Sequence, residues 1–84
     1  MKKIYLLLIV STHTALQTFY DAVNAFKCLS VGGIIAFDDY RLDWHKGIYY
    51  EPYRGINSFC RIFEEYTDDI EIGYQRWVMK TGNP

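Results

Sequence analysis

Val31-Gly32-Gly33-Ile34-Ile35-Ala36-Phe37-Asp38-Asp39-Tyr40 decides the fold. Two glycines supply a tight turn, and four apolar residues without alternation read as a buried strand. Two adjacent carboxylates stand where that strand stops. An open α/β sheet presents its chemistry at the carboxyl ends of its strands, so these acids fall where a site is expected.

Upstream, Ile4 to Val10 is a second continuous apolar run and predicts a parallel strand buried on both faces. Ser11 to Thr14 break it. Thr14 followed by Gln17 forms a capping-box pattern that opens a helix over about Ala15 to Leu29. Leu16, Phe19, Val23 and Phe26 make its apolar stripe, widened by Tyr20, Ala22 and Leu29. Strand, helix and strand in this order make one parallel βαβ unit.

Downstream, Tyr40 to Tyr53 reads as a loop carrying Tyr40, Trp44, His45, Tyr49, Tyr50 and Tyr53, and Pro52 argues against regular structure there. The spacing of Ile56, Phe59, Cys60 and Phe63 predicts a second helix from about Arg54 to Tyr66. Ile70 to Lys80 reads as the final strand, with Gly73 marking a bend, a bulge or a very tight hairpin. No repeat, linker or low-complexity segment divides residues 1–84, so one domain is expected.

Composition limits the function. Half of the 84 residues are hydrophobic and the net charge is -1, which gives no electrostatic reason to expect nucleic acid or an anionic membrane as partner. The 18% aromatic share suits a core, a cleft or an interface. Cys28 and Cys60 form no CxxC pair and both fall on apolar helical positions, so two reduced core thiols in a cytoplasmic protein are expected. The two lysines and short apolar run after Met1 also have the look of a secretory leader, but the run is short and the following residues are a poor cleavage site. A secreted product is the alternative if residues 1–15 are such a leader.

Right-handed crossovers put both helices on one face of the sheet. The strands are apolar on both faces, so the other face lacks a cover, and the edge beside Ile4–Val10 is unpaired. The sequence reads as half of a three-layer sandwich, completed by self-association, by a partner or by a missing N-terminal half.

The run Ala25 to Tyr40 resembles the class I S-adenosylmethionine-dependent methyltransferases, in the branch with an "L-x-P-G-G" turn and an "F-D-D-Y" strand end. Ser11 to Ala15 is similar to that family's "D-G-S-H-T" segment, Pro52 to Tyr66 to the helix after the acids, and Gly73 to Val78 to its closing "G-Y-Q-V-W" strand. The likeness covers nearly the whole chain and concerns the family's C-terminal half. The upstream strand, the glycine-rich cofactor loop and the ribose-binding acid have no counterpart. Val10-Ser11 stand where the family has Asp-Gly, and Val31 where it has the turn proline.

The resemblance implies a partial Rossmann-like sheet (β-α-β-α-β), mostly parallel, with two helices on one face. It implies methyl transfer from S-adenosylmethionine to an oxygen or nitrogen of a small molecule or sugar. Asp38 and Asp39 are then catalytic on the acceptor side and candidate Mg²⁺ ligands, a hard cation that favours carboxylate oxygens. Adjacent strand residues face opposite sides, so both acids reach one ion only if the strand breaks there. His13, at the same edge, suits a general base or simply helps to start the helix. Tyr40, Trp44, Tyr49 and Tyr50 wall a substrate or pack against a missing half. With no donor-binding half, the isolated chain is expected neither to bind the cofactor nor to methylate. The alternative is a non-catalytic remnant acting as an interaction or oligomerisation module.

Overall fold

The computed structural model describes residues 3–9, 14–38, 40 and 50–84. The elements are β1 (Leu6–Ile9), α1 (Ala15–Cys28), β2 (Ile34–Phe37), α2 (Tyr50–Ile62), a single 3-10 turn (Glu64–Tyr66), β3 (Thr67–Ile72) and β4 (Arg76–Lys80). Among the described residues they form one four-stranded sheet in the order β1-β2-β4-β3.

The fold class is α/β, but the sheet is mixed rather than mostly parallel. β1 and β2 run parallel, with Leu6 opposite Ile34 and Ile9 opposite Phe37, and the ladder continues where the Asp38 N–H donates to the Ile9 carbonyl at 3.0 Å. β4 runs antiparallel to both β2 and β3. The expected single final strand is therefore two. Gly73, Tyr74 and Gln75 connect them, and the Gly73 N–H closes the turn on the Gln75 carbonyl at 2.9 Å. The tight hairpin was one of three readings of Gly73. Its strands begin earlier than expected, at Thr67, and a bulge shifts the register between Asp69 and Glu71.

α1 starts as its cap predicts: the Thr14 hydroxyl accepts the Gln17 N–H at 3.2 Å. The reciprocal half of the capping box is missing, because the Gln17 amide donates forward to Asp21 at 2.9 Å. A residue from the other helix takes up an N-terminal donor instead, with Glu51 Oε1 accepting the Ala15 N–H at 3.0 Å. The buried stripe is rotated from the expected one. Thr18, Ala22 and Phe26 are buried, whereas Leu16 and Tyr20 are exposed. Cys28 is also exposed, so of the two thiols only Cys60 lies in the core.

α2 begins four residues before the expected Arg54. Pro52 sits in its first turn, where a proline costs no intrahelical hydrogen bond and its fixed φ suits the helix. The second helix ends at Ile62, and the 3-10 turn follows.

Gly32 adopts φ +93°, which an L side chain rarely tolerates, and makes the turn into β2. Its N–H reaches the Lys80 carbonyl at 2.7 Å, so the α1–β2 turn is stitched to the end of β4.

Both helices lie on one face of the sheet. Phe26 of α1 meets Phe59 of α2 at 5.7 Å between ring centroids, and Phe59 meets Phe37 of β2 at 6.0 Å. Ile35, Val78, Ile56 and Leu29 complete this core, with Leu7 and Ile9 packed at its margin. Strand alternation sends Leu6, Leu8, Ile34, Ala36, Trp77 and Met79 to the other face. Leu6 and Leu8 remain 61% and 62% exposed, so β1 is half-buried on one face and open on the other.

Candidate functional site

The carboxyl edge of β2 carries two polar networks, separated by the pleat. Asp38 follows β2 and Gln75 precedes β4, one residue beyond the register that ends with Phe37 opposite Arg76, and Gln75 bonds Trp77, which alternation puts on the face away from the helices. Gln75 Nε2 donates to Asp38 Oδ1 at 2.5 Å. Trp77 Nε1 donates to Gln75 Oε1 at 2.9 Å. The indole thereby fixes the amide with its N–H₂ end towards the carboxylate. The hairpin makes this meeting possible, since residues 37 apart in the chain come together only when β4 turns back beside β2.

The second network lies on the helix side and centres on Arg76, which is opposite Phe37 in the register. Its Nε and Nη2 grip both oxygens of Asp69 at 2.8 and 2.9 Å. Its Nη1 donates to Asn57 Oδ1 at 2.7 Å and to the Tyr40 hydroxyl at 3.3 Å. Tyr40 in turn donates to Asn57 Oδ1 at 2.8 Å. Burial works against the guanidinium charge, but the bonds to Asp69 outweigh it and hold the Arg76 pKa above its ordinary value. Burial raises the Tyr40 pKa, partly opposed by Arg76. Burial also pushes the neighbouring Cys60 thiol up to about 11, which leaves it protonated and unreactive near neutrality. Asn57, Cys60, Asp69 and Arg76 line an open cleft of about 470 Å³ between α2 and the hairpin, together with Arg61, Glu64, Thr67 and Asp68.

Of the residues singled out from sequence, Asp38 stands at the expected strand end. Tyr40 is 3% exposed, stacked on Tyr53 at 5.0 Å between centroids, and its hydroxyl is engaged by Asn57 and Arg76. That placement is packing into the chain's own core. His13, Asp39, Trp44, His45 and Tyr49 lie outside the described residues, and Tyr50 opens α2 with its side chain outside them.

Among the described residues no group of three or more His, Cys, Asp or Glu side chains converges as a metal-ligand set. Mg²⁺ keeps near-octahedral oxygen coordination, usually with one or two carboxylates. Asp38 is the one expected ligand described, and Gln75 already engages one of its oxygens, so these residues do not by themselves make up a Mg²⁺ site. The Gly32–Gly33 turn lies at the opposite, amino end of β2, where the Gly32 N–H bonds the Lys80 carbonyl and the Gly33 N–H the Ser30 carbonyl.

Sequence reasoning passed over Gln75 and Trp77 as site residues. Their signal was the i, i+2 spacing, which sets the two side by side near Asp38 once the Gly73 hairpin is chosen. It also passed over Arg76 and Asn57, which no local pattern links.

No protein-family model matches this chain, and no curated protein or solved structure matches it. No helix among the described residues is long and apolar enough to cross a membrane.

Proposed function

We propose that this chain forms the acceptor-side half of a class I methyltransferase-like domain, whose donor S-adenosylmethionine is bound by a half additional to these residues. The observation that carries the reading is the bond between Asp38 and Gln75. It joins the segment similar to the family's "F-D-D-Y" strand end to the segment similar to its "G-Y-Q-V-W" strand, at the carboxyl edge where an open α/β sheet places ligands. The uncovered face supports it too. Through Gln75, Asp38 is tied to Trp77 on the side where α1 and α2 do not lie, so a second layer over Leu8 and Trp77 also comes close to the acid.

Methyl transfer is an in-line displacement in which the protein mainly positions two reactants. Asp38 accepts a hydrogen bond from an acceptor hydroxyl or amine and orients its lone pair, and His13 and Asp39 belong to the same edge by sequence. The acceptor class is a small molecule or sugar, and the protein is cytoplasmic in this reading.

Isothermal titration of the 84-residue chain with S-adenosylmethionine is expected to show no binding, and micromolar affinity would overturn the division into halves. Sequencing the DNA upstream of the Met1 codon is expected to reveal a strand followed by a G-x-G-type loop, in frame or across one frameshift.

The exposed Leu6 and Leu8 favour a second reading, a non-catalytic module that associates through this face. In that case the chain sediments as a dimer or larger, and Leu8→Glu returns it to a monomer with its helical circular dichroism intact. A wild-type monomer with a sharp, reversible melt removes this reading.

A further inference from the structure

We infer that Gln75 and Trp77 are positioning residues for Asp38, a three-membered chain that decides which carboxylate oxygen meets an acceptor. The inference rests on the proposed acceptor-side role of Asp38 and adds how that acid is held. A carboxylate at a strand end rotates about χ1 and χ2 unless something ties it. Gln75 ties Oδ1, which leaves Oδ2 as the oxygen for an incoming hydroxyl or amine.

A glutamine alone does this poorly. Its amide presents either a donor or an acceptor, and the acceptor end repels a carboxylate. The Trp77 indole has a donor and no acceptor, so it bonds only the Oε1 end. With Oε1 held, Nε2 faces Asp38. The chain thus has one polarity, from indole N–H through the amide to the carboxylate. Trp77 stands on the face away from the helices and the other two members bond in line from it, so a layer laid over this face also removes the chain from water, where such bonds strengthen.

Nitrogen-15 NMR of the 84-residue chain tests this, reading the Trp77 indole N–H and the Gln75 side-chain N–H₂. Gln75→Leu is expected to move the indole proton upfield. Trp77→Phe is expected to bring the shift difference between the two Gln75 amide protons back to that of a free glutamine side chain and to shorten their exchange lifetime. Gln75→Glu sets two carboxylates against each other and is expected to displace the indole signal. Adding Asp38→Asn to it reverses donor and acceptor between positions 38 and 75 and is expected to restore that signal. Two contacts that are not coupled through the Gln75 amide predict no such rescue. An indole proton that stays put in Gln75→Leu, or a double variant no closer to wild type than Gln75→Glu, overturns the inference. If single variants unfold, the double variant still decides. None of these signals needs a cofactor, so the S-adenosylmethionine titration succeeds or fails independently of them.

Discussion

Gly55 of α2 crosses Ala15 of α1 so closely that a Cβ at Gly55 would stand 2.5 Å from the Ala15 carbonyl oxygen. It would also stand 2.8 Å from the Thr18 Cβ, which belongs to a fully buried side chain. The helices can meet this way only where one contributes no side chain. Gly55→Ala gains helix propensity but forces α1 and α2 apart, and overpacking of this kind costs about 1–3 kcal/mol. The expected result is a lower thermal midpoint by roughly 5–15 °C for a domain of this size. An unchanged or raised midpoint would show that the helix pair is looser than described.

Lys80 is 3% exposed, and its Nζ donates to the carbonyls of Phe26 and Leu29, both at 2.8 Å. The C-terminal carbonyls of a helix lack intrahelical partners, and a cation there also suits the helix dipole. The ammonium lies 4.3 Å from the Phe26 ring centroid as well. Desolvation lowers the Lys80 pKa, so burial is not free. Lys80→Met keeps the stem and removes the donors. It is expected to destabilise the fold by about 1–3 kcal/mol, since the Leu29 carbonyl loses this donor and the Phe26 carbonyl keeps only the Leu29 N–H. Urea denaturation measures it, and a more stable Met variant would mean that desolvation outweighs the cap.

Cys60 gives the fold an alkaline limit. Its thiol has a folded pKa of about 11 against 9.0 as the unperturbed value, because burial disfavours the thiolate. Between those values the unfolded chain releases a proton that the folded chain keeps, so stability falls as pH rises from about 9 to about 11. The loss is at most roughly 3 kcal/mol. Tyr40, also raised by burial, adds to it with the same sign. Urea midpoints from pH 8 to 11 are expected to fall more steeply for the wild type than for Cys60→Ala. Parallel slopes would place the titration elsewhere.

What could be read from the sequence follows from how local each signal is. The α1 cap at Thr14, the Gly32–Gly33 turn and the β2 run are set by neighbours within a few residues, and all three were legible. So was the placement of both helices on one face of the sheet, because right-handed crossover constrains them together. Pro52 misled because a proline that breaks a helix interior is welcome in its first turn. The stripe of α1 was misplaced because Gly55 brings α2 against Thr18, a polar residue that no hydrophobic pattern selects. The place of Asp38 at the end of β2 was legible from the apolar run alone. Gln75, Trp77, Arg76 and Asn57 depend on pairing between distant segments, and only the choice of hairpin at Gly73 makes that pairing visible.

Arg76 supplies the last prediction. It forms a two-pronged pair with Asp69 while its third edge reaches Asn57 and Tyr40, and its guanidinium lies 5.3 Å from the Tyr40 ring centroid. Its side chain is 12% exposed and that of Asp69 40%. Arg76→Met therefore leaves Asp69 to water and lets Tyr40 keep Asn57, so its cost is the lost charge-assisted bonds, about 1.5–3 kcal/mol. Arg76→Lys retains the charge but not the planar fork, and one ammonium cannot serve Asp69 and Asn57 together in this geometry. It also buries a more strongly hydrated cation. Arg76→Lys is accordingly expected to recover little of what Arg76→Met loses, as urea midpoints at pH 7 would read. A lysine variant as stable as the wild type would show that charge alone, rather than the fork, holds the hairpin to α2.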